Sequence, residues 1–313
     1  MIFPWEWLEQ AYQRLQDKVI QTPLTQDEVA AITLKWENQQ ITGSFKVRGA
    51  LNRALTLQPW EIEKGLVCAS AGNHGQGVAY AAKLLGASCI VFTYEGASAH
   101  KIEQMRQLGA KVHIVPGHYA DAERAGLEYA RSHQATWISP YNDPQVIAGQ
   151  ATVGLELIEQ WKAEIPASVV VPVGGGGLAA GIALAMQRLP HPPKVIGVQS
   201  EASAYFHALF HQNNKKEVVE WESLADGLAG DVEDNSITIP LVKTHLFDLR
   251  LVSEKEIAEA IRFAWQRYGE RIEGSAAVTL AAVLSRKVDE LPATLIISGG
   301  NIDPQIFENI LHS

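Results

Sequence analysis

Cysteine is scarce in this chain: two among 313 residues, Cys68 and Cys89, each inside an apolar run. So few thiols in such surroundings read as small buried hydrophobes rather than a redox pair, and they make a reducing, cytoplasmic location the default. No apolar stretch is long enough to span a bilayer. The start, Met1 to Glu9, carries acids and Pro4 where a secretory signal has a basic region followed by an apolar run. Positive charge is in deficit too: 26 Lys and Arg against 35 Asp and Glu leave a net charge of -9, the opposite of what nucleic-acid phosphates select. There is no tail of like charges and no low-complexity segment. What remains is a globular composition, 47% hydrophobic and 19% charged, in a chain long enough for two domains.

Along the chain, Leu8, Ala11, Tyr12, Leu15 and Val19 recur at helical spacing and predict an amphipathic helix from Trp5 to Val19. Ile20 to Leu24 break it, and Ile32 to Trp36 alternate as a short strand. From Gly65 on, apolar runs at 66–69, 89–92, 112–115 and 136–138 alternate with helical segments. The second half repeats this at 169–173, 195–198, 249–252 and 294–297, with helices predicted over Glu254 to Tyr268 and Ser275 to Arg286. Continuous apolar strands separated by helices predict an α/β fold with parallel sheets covered on both faces.

Chemistry concentrates where these strands end. Thr42-Gly43-Ser44-Phe45-Lys46-Val47-Arg48-Gly49-Ala50 sets a lysine in the first turn of a helix. A lysine amine becomes a nucleophile towards carbonyls when it is desolvated or set beside another cation. Ser70-Ala71-Gly72-Asn73-His74-Gly75 follows the strand at 66–69 and opens a helix, turning a serine hydroxyl, backbone amides and the Asn73 amide towards whatever lies above the sheet. Gly174-Gly175-Gly176-Gly177 leads from a strand into the helical Leu178 to Ala183, where amides and the helix dipole suit an anion such as phosphate. It lacks Gly-x-Gly-x-x-Gly phasing and a following Lys-Ser/Thr, so neither a dinucleotide fingerprint nor a P-loop is present. Ser298-Gly299-Gly300-Asn301 closes the last strand. Each motif alone also suits a tight turn, and His74 alone suits a helix-start residue bonded to backbone.

Taken in order, these four motifs resemble the fold type II enzymes that depend on pyridoxal phosphate, specifically the serine/threonine dehydratase and serine racemase family. The resemblance runs over nearly the whole chain. It implies a tryptophan synthase β-like architecture of two open parallel-sheet domains, residues 1–57 and 144–313 forming the large cofactor domain and 65–142 the small substrate domain. It also implies that Lys46 carries the cofactor as a Schiff base and later removes the substrate α-proton. Gly174, Gly175, Gly176, Gly177 and Leu178 would hold the phosphate, Asn73 the ring oxygen and Ser298 the ring nitrogen, with Phe45 and Gly227 along the two faces. Ser70, Ala71, Gly72, Asn73 and His74 would hold the amino acid carboxylate. A neutral serine at the ring nitrogen favours β-elimination over transamination.

Departures from the family pattern sharpen the expectation. Ala71 stands where racemases have a second acid/base serine, so the resemblance implies dehydratase chemistry on one face. Gln199, Ser203 and Tyr205 replace the carboxylates of metal-bound relatives, so no metal ligand is assigned. Gly274 replaces a usual proline after Glu273, which bears on substrate preference. The chain ends at Ser313, soon after the last motif, and no appended regulatory domain is expected. The implied function is a hydroxy-amino-acid ammonia-lyase acting on free L-serine or L-threonine, as a homodimer, with a racemase, a β-replacement synthase or a non-catalytic ligand-binding protein as the alternatives.

Overall fold

The computed structural model describes residues 3–162 and 164–312; Met1, Ile2 and Ser313, at the limits of the expected large domain, lie outside them. Two sheets carry the site. The larger is built from β1 (Leu24–Asp27), β2 (Ile32–Trp36), β7 (Ser168–Pro172), β8 (Lys194–Ser200), β9 (Asp248–Val252) and β10 (Ala293–Ile297). The smaller holds β3 (Leu66–Ala69), β4 (Cys89–Tyr94), β5 (Lys111–Val115) and β6 (Thr136–Trp137). The orders are β1-β2-β10-β7-β8-β9 and β5-β4-β3-β6. Every ladder is parallel except β1 with β2, so the class is α/β with one antiparallel edge on the large sheet.

That edge is the strand the sequence did not announce. Leu24-Thr25-Gln26-Asp27 buries only Asp27, so no apolar alternation marks it, and it is held by its ladder to β2 and by Trp36 Nε1 donating to Thr25 Oγ1 at 3.0 Å. The inner strands β7 and β10 are buried at every position, as strands covered on both faces must be. The first helix ends at Leu15, short of Val19, because Asp17 takes a left-handed φ of 63°. The helix expected from Ser275 runs Gly274–Leu284, while Glu254–Tyr268 is as expected, opened by a Ser253/Glu256 capping box and closed by left-handed Gly269.

Helix Lys46–Ala54 joins the two halves. Ala50, Leu51 and Ala54 sit in the core under the small sheet, whereas Arg48 is buried among acids from the large-sheet side. Its backbone is approached closely by two other helices. A Cβ on Gly77 would stand 3.1 Å from the Lys46 carbonyl, and one on Gly149 2.6 Å from the Arg48 oxygen. Glycine at those positions lets the helices close on the lysine from both sides.

Candidate functional site

Lys46 is fixed from both chain directions. Phe45 N–H donates to the Ser298 carbonyl at 3.0 Å, Gly300 N–H to the Gly43 carbonyl at 2.9 Å, and Ser44 bridges Gly299. The end of β10 therefore clamps the turn that starts the lysine helix. The amine donates to the Pro140 carbonyl at 3.0 Å and lies 5.3 Å from the Phe45 ring centroid. Burial lowers its pKa from the usual lysine value to about 8, with Glu273 pulling the other way. At neutral pH roughly a tenth of such an amine is unprotonated, against a vanishing fraction of an ordinary lysine.

Around Ser70–His74, the Ser70 amide pairs with the Phe92 carbonyl and its hydroxyl accepts from Gly72 N–H at 3.0 Å. The helix Asn73–Leu85 that follows has Gly72 at its N-cap and no side-chain cap, so its first amides stay available to an anion. Asn73 is held at both ends: its Nδ2 donates to Glu273 Oε1 at 2.6 Å and its Oδ1 accepts from Asn301 Nδ2 at 2.8 Å. The Ala71 side chain offers no polar atom. His74 is turned to the backbone, donating from Nε2 to the Ile138 carbonyl at 2.9 Å, and burial with the Lys46 charge lowers its pKa to about 3. It is a neutral imidazole at physiological pH, without a nucleophile to serve.

The glycine run opens a second helix. Gly176 takes φ 84° as N-cap of helix Gly177–Met186, again with no side-chain cap, while Leu178 is buried in the large-sheet core. Tyr141, next to the carbonyl that holds Lys46, packs so tightly on Gly175 that a Cβ there would fall 2.3 Å from its ring. A Cβ on Gly174 would reach Leu228 at 3.1 Å, in the turn Asp226–Leu228 that carries Gly227. Gly227 N–H donates to Ser275 Oγ at 2.9 Å. Gly274, the departure from the family pattern, has a steric cause: a Cβ there would sit 2.0 Å from the Leu224 carbonyl oxygen. Gly274→Ala should therefore push the 224–228 turn outward and cost about 1–3 kcal/mol, read as a lowered urea midpoint at unchanged slope. An unchanged midpoint would mean that the turn yields freely.

Five residues at this cleft escaped the sequence reading as site members: Pro140, Tyr141, Glu273, Asn301 and Lys101, which lies against Gly72 and reaches Asp226 Oδ2 at 2.6 Å. Asn301 and Glu273 were within sight of quoted motifs; Lys101 carried no signal. Away from the cleft, Gln199 Oε1 accepts from His207 N–H, and Ser203 Oγ donates to Glu220 Oε1 at 2.8 Å. Among the described residues no group of three or more His, Cys, Asp or Glu is arranged to hold a metal ion.

Two uncapped helix starts, at Gly72 and Gly176, and one amine of lowered pKa suit a ligand with an anionic group at each end and a carbonyl between. Residues 15–299 match the family model for pyridoxal-phosphate dependent enzymes. The chain belongs to that family, and its residues fit that cofactor. A putative threonine dehydratase from Sinorhizobium fredii is 36% identical, with 98% of this chain and 95% of that protein aligned. An L-threonine ammonia-lyase from Thermotoga maritima is 38% identical over 98% of this chain and 78% of its own length. Among solved structures, a threonine deaminase from T.th. superposes with a TM-score of 0.87 at 34% identity, covering 96% of this chain and 98% of that one. A serine racemase from Dictyostelium discoideum gives 0.84 at 33%, covering 95% and 98%.

Proposed function

We propose that this chain is a pyridoxal phosphate-dependent ammonia-lyase that converts L-threonine and L-serine to the corresponding 2-oxo acid and ammonia. The observation that carries the reading is Lys46: burial lowers its amine to about pKa 8, and it donates to the Pro140 carbonyl beside Tyr141, whose ring packs on Gly175 in the run that opens helix Gly177–Met186. Relatives bearing the names threonine dehydratase and L-threonine ammonia-lyase at 36% and 38% identity support the reaction.

In this reading Lys46 Nζ, the Ser298 hydroxyl, the Asn73 amide and the amides of Gly174 to Gly177 and Leu178 hold the cofactor, with Phe45 and Gly227 along its sides. When bound, the cofactor supplies an electron sink for the bond broken at the substrate α-carbon. The chain supplies orientation and proton traffic. Ser70 and the Asn73 and His74 amides at the start of helix Asn73–Leu85 hold the substrate carboxylate. Neutral Lys46 Nζ takes the α-proton. The β-hydroxyl then leaves as water, and water returns as ammonia is released, so that the net change is loss of ammonia. Pro140 and Tyr141 cover the lysine and keep bulk water from it. Ala71 holds no proton, so the opposite face of the α-carbon goes unserved.

The same reading takes residues 1–57 and 144–313 as the cofactor domain and 65–142 as the substrate domain. It makes the enzyme a cytoplasmic homodimer whose partner is a free amino acid, without nucleic acid or membrane; no helix among the described residues is long and apolar enough to cross a bilayer. The test is steady-state 2-oxo acid formation from L-threonine, L-serine and 3-hydroxyaspartate, with chiral analysis of the recovered amino acid. Turnover of L-threonine or L-serine with little D-isomer is expected. D-serine in amounts comparable to pyruvate, or product only with an added thiol, would replace this reading with a racemase or a β-replacement synthase.

A further inference from the structure

Glu273 is the N-cap residue of helix Gly274–Leu284, and its side chain makes no hydrogen bond to the first amides of that helix. Its carboxylate faces the cleft instead, on a residue 3% exposed. Oε1 accepts from Asn73 Nδ2, while Oε2, equally buried, has no hydrogen-bond partner among the described residues. A buried carboxylate oxygen left unpaired costs enough that it calls for a reason. Space has been made for it: a Cβ on Gly299 would fall 2.3 Å from Oε1. The charged groups that face it come from three elements: Lys101 of helix Ala99–Gln107, Asp226 of the turn Asp226–Leu228, and Lys46 of helix Lys46–Ala54. Lys101 is already committed to Asp226 at 2.6 Å.

We propose that Glu273 is a positioning residue of this site: through Oε1 it fixes the Asn73 amide against Asn301, and through its unpartnered Oε2 it sets the charge that the Lys46 amine meets. This rests on the reading of the cleft as the pyridoxal phosphate site. Asn73 cannot rotate, because its Nδ2 is taken by Glu273 and its Oδ1 by Asn301, whose Nδ2 also donates to the Thr42 carbonyl at 2.8 Å. Burial raises the Glu273 pKa to about 7, so its charge changes close to neutral pH. Ionised, it favours the ammonium form of Lys46; protonated, it releases that hold.

Glu273→Gln separates the two roles, since the amide oxygen still accepts from Asn73 but carries no charge. On the full-length chain stripped of cofactor, the rate of pyridoxal phosphate uptake, followed by absorbance, is measured against pH. The limb that reports Lys46 deprotonation should move about one pH unit to acid in the variant. Thermal midpoints of the same stripped proteins give a readout independent of turnover. A carboxyl whose folded pKa is raised stabilises fully below its unfolded value and loses that contribution as pH rises through the folded value. Glu273→Gln should therefore gain on the wild type between pH 5 and pH 8. Glu273→Ala should share the pH shift and also retain cofactor less well, because Asn73 is freed. Uptake and midpoint curves for Glu273→Gln that superimpose on the wild type would overturn the proposal. If the wild type takes up no cofactor at all, the proposed function fails, and the midpoint comparison still decides whether Glu273 holds a titrating charge here.

Discussion

Lys46→Ala is expected to abolish 2-oxo acid formation, by at least about 10⁴-fold, because one side chain serves as cofactor anchor and as the base at the α-carbon. The absorbance of the cofactor bonded to lysine should vanish with it, and borohydride should trap no label on the variant. Lys101 is the neighbouring lysine that would have to substitute. Although burial alone would lower its pKa, Asp226 and then Glu273 raise it above the ordinary value, so it stays an ammonium ion and is no nucleophile. The fold itself should not suffer. Burial depresses the Lys46 pKa in the folded state, so its desolvation opposes folding below about pH 8, and the penalty fades as pH rises from there towards the ordinary lysine value. The stripped variant should accordingly be at least as stable as the wild type at pH 7, by urea midpoint. Wild-type absorbance in the variant, with label trapped on another lysine, would move the anchor elsewhere.

The strands were legible in the sequence because most are buried on both faces, and their apolar runs need no partner to be recognised. The Lys46–Ala54 helix declares its burial less well, because Arg48 reads as a surface cation until its acids are found. Local motifs were legible for a reason like that of the strands: a glycine run or a Ser-Ala-Gly-Asn turn carries its own geometry. What escaped were pairings across long separations. Asn73 meets Glu273 across 200 residues, Lys101 meets Asp226 across 125, and Lys46 meets the Pro140 carbonyl across 94. Periodicity holds no information about which loop lands on which. The β1 edge was lost for the opposite reason, since Thr25 and Gln26 face outward and leave no pattern to read.

Arg48, two residues past the reactive lysine, should be the most costly position on that helix to change. Its guanidinium takes Glu37 in a fork at 2.7 and 2.8 Å and Glu156 in a second at 2.6 and 2.9 Å, with a further contact to the Ile20 carbonyl at 3.2 Å. Lys35 completes the group, donating to Glu156 at 2.6 Å and to the Thr22 carbonyl at 2.9 Å. Arg48 and Lys35 are fully buried, so two cations balance two carboxylates away from water. Removing one partner from such a set costs about 3–5 kcal/mol, because the remaining charge is left buried and unpaired. Arg48→Met should lower the urea midpoint accordingly. Its effect should depend on pH. Burial pushes the Glu37 pKa up, but the charge and hydrogen bonds of Arg48 outweigh this and hold it below the usual carboxylate value. Glu37 thus stabilises the wild type above its unfolded pKa, and that contribution is lost as pH falls through the folded one. Without Arg48, burial dominates, Glu37 protonates more readily, and the gap between variant and wild type should narrow as pH falls from 8 to 5. Adding Glu37→Gln to Arg48→Met should recover part of the loss at pH 8 and flatten that dependence. A pH-independent gap, or no recovery in the double variant, would show that the loss comes from packing of the side chain rather than from the stranded charge.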